Sequence, residues 1–181
     1  LCRDWSSDVC SSDLECDRTV IRGAAAVELL HLASLLHDDV IDEAALRSGR
    51  PTFNAALGNQ PAVLLGDFFF ARALSGAARI SPAHLRRFLA VAGDLVVGEF
   101  GQTAATGRLP RVDSYLTWIE AKTASLFALA ASFGRMRDLE GYGHAFGLAY
   151  QLRDDLLDLT AAETEVGKPT LNDCRRGLFT Y

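Results

Sequence analysis

The chain has 181 residues, of which 49% are hydrophobic and only five are proline, and it carries a formal net charge of −5. That composition suits one packed, helix-rich domain and excludes a largely disordered chain. The acidic balance argues against a nucleic-acid binder, which shows a basic face, but leaves room for an anionic substrate held through cations.

Residues 1–17, LCRDWSSDVCSSDLECD, are rich in Ser, Asp and Cys and have neither helical nor strand periodicity. They read as a non-native or disordered leader, and residues 18–181 as a single helical domain. Cys2, Cys10, Cys16 and Cys174 form no CxxC pair, so neither a zinc site nor a disulfide framework is expected. No uninterrupted apolar run approaches the roughly 18–20 residues of a membrane span. The N-terminus also lacks a basic region followed by an apolar core, so no transmembrane segment and a cytoplasmic location are expected.

From about Arg18 to Ala45 the apolar residues recur at helical spacing, and Ser48-Gly-Arg-Pro51 ends that run. A second turn, Gly58–Pro61, precedes an apolar helix over Ala62–Ala78. Ser81-Pro82 predicts an N-cap followed by proline at the first helical position, opening a helix to about Ala105. Asp113 is expected to cap a helix running through Phe133, with Gly134–Gly143 broken before the last helix. Six helical segments without convincing β-alternation predict an all-α bundle.

Two stretches carry the chemistry. His31-Leu-Ala-Ser-Leu-Leu-His-Asp-Asp-Val-Ile-Asp42 ends in three aspartates, and Gln151-Leu-Arg-Asp-Asp-Leu-Leu-Asp158 repeats the layout. At 3.6 residues per turn, Asp38 and Asp42 share one face with Asp39 beside them, and Asp154, Asp155 and Asp158 do likewise. A single cluster of this kind is more often a solvated acidic turn. Two, each among leucines and isoleucines where unpaired charge is costly, call for a neutralising divalent cation. Hard oxygen donors without thiolates point to Mg²⁺, which bridges carboxylates to substrate phosphates. Gly141-Tyr-Gly-His-Ala-Phe-Gly147 lacks the preceding strand of a dinucleotide fingerprint.

With these motifs the sequence resembles the trans-isoprenyl diphosphate synthases, the polyprenyl synthetase family. Leu46-Arg-Ser-Gly-Arg-Pro51, Gly66-Asp-Phe-Phe-Phe-Ala-Arg72, Gly98-Glu-Phe-Gly-Gln102 and Lys122-Thr-Ala-Ser-Leu-Phe127 follow the family's motifs in the family's order. The resemblance implies an isoprenoid-synthase bundle in which the two aspartate-rich helices face a central cavity. It also implies an enzyme, a Mg²⁺-dependent prenyltransferase that condenses isopentenyl diphosphate with an allylic diphosphate, usually as a homodimer. Asp38, Asp39, Asp42, Asp154, Asp155 and Asp158 would hold about three Mg²⁺ ions around the allylic diphosphate. Arg47, Lys122, Thr123, Gln151 and Lys168 would bind or orient that substrate, and His31, about 10 Å before Asp38 along the helix, would contact isopentenyl diphosphate.

Bulky residues four and five positions before the first aspartate block the growing tail in the family. Ser34 and Ala33 stand there, so a product of C20 or longer is expected, and a Phe at position 33 should shorten it. Ser48 and Leu178 depart from the family's usual Arg and Lys, and the upstream Gly-Lys-x-Arg and the family's later helices have no counterpart, so the resemblance implies that the domain over residues 18–181 is truncated at both ends. Two rivals remain, a class I terpene cyclase and a catalytically silent partner subunit of a prenyl synthase. The spacing of Asp154–Asp158 disfavours the cyclase, and the intact aspartates disfavour the silent subunit.

Overall fold

The computed structural model describes residues 18–133, 139–160 and 171–180. The chain forms α1 (Arg18–Ile41), a short hairpin of β1 (Leu46–Arg47) and β2 (Arg50–Pro51), α2 (Phe53–Leu57), α3 (Asn59–Ala78) and α4 (Pro82–Ala104). It continues through α5 (Val112–Ile119), a π-helical stretch (Glu120–Ala124) and α6 (Ser125–Ala131), then α7 (Leu139–Thr160) and α8 (Asn172–Arg175). This is the all-α architecture expected, with one small antiparallel hairpin added.

The hairpin arises because Ser48 and Gly49 both adopt positive φ, 50° and 72°, the geometry of a tight two-residue turn. Leu46 pairs with Pro51 and Arg47 with Arg50. The turn sends the chain back toward the end of α1. Thr52, almost fully buried, fixes the return by donating to the Ala44 carbonyl (2.5 Å) while its Oγ accepts from the Ala55 N–H at the start of α2.

Alanines let the helices approach closely. The core gathers Ala26 and Leu30 of α1, Ala73 and Ala77 of α3, Phe88, Val91 and Ala92 of α4, and Leu129 and Phe133 at the far end. Helix α1 lies chiefly against α3, and α7 against α6 and the π stretch. Where α1 meets α3, the His37 ring fills the space that a side chain at Gly66 would take, and it reaches the Val63 carbonyl (3.2 Å) and Asp67 (3.4 Å). Ser81 caps α4 as expected, its Oγ accepting from the His84 N–H.

Two expectations are corrected. Arg111, not Asp113, occupies the N-cap of α5, and Asp113 lies in the first turn, where its charge complements the exposed N–H groups. Of the segment expected to be broken, 139–143 is helical, because Gly141 and Gly143 belong to the first turns of α7. Gly143 is there for space: a Cβ on it would lie 2.6 Å from the Phe127 carbonyl oxygen. By length and composition alone, α1 and α3 are long and apolar enough to cross a membrane, with mean hydropathy 1.4 and 1.2. Their apolar content is alanine and leucine with valine and isoleucine in α1 and with Val63 and Phe68–Phe70 in α3, and part of it is used where the two pack on each other.

Candidate active site

Lys122 stands at the centre of the site, on the π stretch between α5 and α6. Single widened turns of this kind recur at functional sites because they re-aim side chains. Two neighbouring helices reach this turn through glycine. On α4, a Cβ at Gly98 would lie 2.8 Å from the Lys122 backbone nitrogen, and on α7 one at Gly147 would lie 2.6 Å from the Ala124 Cα. Only hydrogen fits at either place.

That approach brings α4 side chains onto Lys122. Its ammonium pairs with Glu99 and donates to Gln102 Oε1 at 3.2 Å. Burial by itself would lower the Lys122 pKa, but Asp38, Glu99 and Asp42 outweigh it and hold the ammonium above its ordinary value. Lys122 therefore stays charged.

At the end of α1 the three aspartates have different surroundings. Asp39 is 5% exposed and accepts from Arg47 Nε (2.9 Å) and Nη2 (2.8 Å), both on the same oxygen. Its backbone carbonyl accepts from Asn54. Asp42 pairs with Arg176 at 2.5 Å. Asp38 makes no hydrogen bond with its carboxyl among the described residues, and its pKa is raised from 3.8 to about 6. Burial is the main cause; Lys122 opposes it, while Glu99 and Asp42 add to it.

On α7 a chain of hydrogen bonds leads back to the π stretch. Thr123 Oγ1 donates to Gln151 Oε1 (2.7 Å), and Gln151 Nε2 donates to Asp155 Oδ1 (2.7 Å). Tyr115 OH donates to the other oxygen of Asp155 at 2.6 Å. Burial raises the Asp155 pKa, and the bonds from Tyr115 and Gln151 partly offset that. Both oxygens of Asp155 are thus engaged, and its carboxylate fixes which way the Gln151 amide points. Asp158 is buried one turn on, and Asp154 is half-buried beside Asp155.

The structure thus brings Asp38, Asp42, Lys122, Thr123, Gln151 and Asp155 around one turn of helix, with the Lys122 charge acting on both Asp38 and Asp155. Arg47 is turned onto Asp39 instead of standing alone, and His31 is exposed two turns before Asp38. Lys168 lies outside the described residues. Among the described residues no three His, Cys, Asp or Glu side chains gather closely enough to hold a metal ion by themselves. Sequence reasoning gave no individual role to Glu99, Gln102, Tyr115 or Arg176. The first two sit inside a motif that was visible, whereas Tyr115 and Arg176 are joined to the site only by the fold.

The polyprenyl synthetase family model matches residues 5–181. The chain belongs to the polyprenyl synthetase family. The match starts inside the stretch that composition sets apart as a leader. Heptaprenyl diphosphate synthase component 2 of Geobacillus stearothermophilus is 38% identical over 87% of this chain and 52% of its own length. Nonaprenyl diphosphate synthase of Mycobacterium tuberculosis is 36% identical over 86% of this chain and 50% of its own. The chain spans about half the length of the curated relatives it matches. Among solved structures, a polyprenyl synthase from Caulobacter crescentus, complexed with calcium and isoprenyl diphosphate, superposes with a TM-score of 0.84. It is 36% identical, and the match covers 91% of this chain and 54% of that one.

The glycine seam of this chain is directly testable. Alanine is the better helix former by about 0.8–1.0 kcal/mol, so Gly141→Ala, with nothing within 4 Å of the new Cβ, should be neutral or stabilising in denaturant titrations. Gly147→Ala should instead cost about 1–3 kcal/mol, because the overpacked methyl must push α7 off the π stretch. Equal effects at the two positions would contradict the close approach.

Proposed function

We propose that the chain belongs to a Mg²⁺-dependent prenyltransferase that extends an allylic diphosphate with isopentenyl diphosphate, giving products of C20 or longer. The carrying observation is the Lys122 ammonium, held by Glu99 and Gln102 and acting on the aspartates of both helices. A cation fixed between two acidic clusters is what a polyanionic substrate and its counter-ions need at their meeting point.

The donors fit the metal. Asp38 is a desolvated carboxylate with no hydrogen-bond donor among the described residues, and oxygen is the only donor type in the clusters. Asp38, Asp42 and Asp154 would hold the ions, and the diphosphate would supply the remaining oxygens, as Mg²⁺ sites at phosphates commonly require. Bound Mg²⁺ would stabilise the charge that grows on the leaving diphosphate.

The chain's own residues do the rest. Lys122 remains protonated and supplies a fixed positive charge to a departing diphosphate oxygen. Thr123 and Gln151, locked to each other and to Asp155, present a hydroxyl and an amide with defined direction, which lowers the cost of ordering them at the reacting carbon. Exposed Val96, Val97 and Phe100 on one side of α4 are apolar surface suited to a second copy, and a homodimer is the assembly we infer.

The product-length reading can be refined. Ala33 is 1% exposed and already sealed by its neighbours, whereas Ser34 is half-buried one turn before Asp38 on the same face. Ser34→Phe should therefore shorten the product with little loss of stability. Ala33→Phe should also overpack the core by about 1–3 kcal/mol. The deciding experiment incubates the full-length protein with Mg²⁺, labelled isopentenyl diphosphate and farnesyl diphosphate, followed by chromatography of the products. Elongated prenyl chains are expected. A cyclised hydrocarbon, or no turnover without a second protein, would replace this reading with the cyclase or the silent subunit.

A further inference from the structure

The segment 171–180 lies across the site as a strap fastened at both ends. At its start the Leu171 N–H donates to the Asp158 carbonyl on α7 (2.8 Å). At its far end the Gly107 N–H, after α4, donates to the Gly177 carbonyl (2.7 Å). Leu178, 9% exposed, lines a small pocket together with Gln102, Ala105, Tyr115 and Trp118. Apolar burial at position 178, where the family has lysine, anchors the strap instead of placing a charge in the site. Between the two fastenings Arg176 reaches Asp42 at 2.5 Å, with both side chains about three-quarters shielded from solvent. The strap therefore joins the second acidic helix to the last aspartate of the first.

We propose that Arg176 is a positioning residue whose guanidinium holds the Asp42 carboxylate from the side where a metal ion would bind it, so that metal must displace Arg176. The inference rests on the reading of Asp42 as a metal ligand. Asp38 carries a like charge one turn before Asp42 on the same helix, so a cation at Asp42 steadies the end of α1 before substrate arrives. An arginine suits this role because its charge does not titrate and its planar fork fits a carboxylate. The cost falls on the incoming metal ion, which has to break an ion pair to reach its ligand.

The test titrates the full-length protein with Mn²⁺, with and without inorganic pyrophosphate, and counts free ion by electron paramagnetic resonance. Arg176→Gln should bind Mn²⁺ about three- to tenfold more tightly in the absence of pyrophosphate, the range expected when one partly shielded opposing pair is removed. Arg176→Lys should restore the wild-type affinity. Leu178→Ala, which unfastens the strap without changing charge, should shift affinity in the same direction as Arg176→Gln. Unchanged or weaker Mn²⁺ binding in Arg176→Gln, with wild-type binding intact, overturns the role of Arg176 and leaves the prenyltransferase reading standing. No Mn²⁺ binding by the wild type even with pyrophosphate overturns both.

Discussion

Asp38→Asn is expected to stabilise the metal-free protein and to cripple the prenyl transfer proposed for it. The carboxyl is buried, makes no hydrogen bond among the described residues, and has a folded-state pKa near 6 against an ordinary 3.8. A folded group that binds its proton more readily than the unfolded one opposes folding once it is ionised. The penalty is therefore absent below about pH 4, grows as pH rises, and is complete above about 6. Its ceiling is about 3 kcal/mol, and the neutral asparagine should recover about 1–3 kcal/mol of that at pH 7. Chemical denaturation of the metal-free protein from pH 4 to 8 should show wild type losing stability through this window more steeply than the variant. Prenyl transfer should fall by about 10²–10³-fold, the loss typical of one preorganised charge-stabilising group. A variant less stable than wild type at pH 7 would show that Asp38 is satisfied in the fold by a group other than the ones described.

Lys122→Met carries the second large effect. It leaves Glu99, 15% exposed at its side chain, without its cation, and removes the main favourable charge acting on Asp38. Stranding one partner of a buried pair is the costly way to break it, and we expect about 3 kcal/mol of destabilisation. Adding Glu99→Gln to Lys122→Met should return most of that stability, since the stranded charge is gone, while prenyl transfer stays lost. A double variant as unstable as the single one would place the role of Lys122 elsewhere, in packing of its aliphatic stem instead of in charge.

What the sequence discloses of this molecule is largely local. The end of α1 in Asp38, Asp39 and Asp42, the repeat at Asp154–Asp158, and the Ser81-Pro82 cap are written in contiguous residues with helical spacing, and the helices stand where that spacing puts them. One misreading has its cause outside the local sequence. Gly143 looks like a breaker when only its neighbours are weighed, yet it is placed for the Phe127 backbone that α7 presses against. The partnerships that shape the site, Tyr115 with Asp155, Glu99 with Lys122 and Arg176 with Asp42, join residues 23 to 134 positions apart. No periodicity encodes them. Six aspartates looked alike in sequence, but in the fold Asp39 and Asp155 are absorbed by neighbours while Asp38 is not.

The widened turn at Glu120–Ala124 has a consequence for how this stretch keeps its phase. In an unbroken α-helix, positions 115 and 123 would point about 80° apart around the axis, eight steps of 100°. Here Tyr115 and Thr123 engage Asp155 and Gln151, successive turns of a single helix face. The one surplus residue that a π turn absorbs rotates everything after it back into step. Thr123 thus owes its aim to a length, not to a residue type. Straightening that turn into α-helix with all its residues kept would leave every functional side chain in place chemically and swing those beyond it by about 100°.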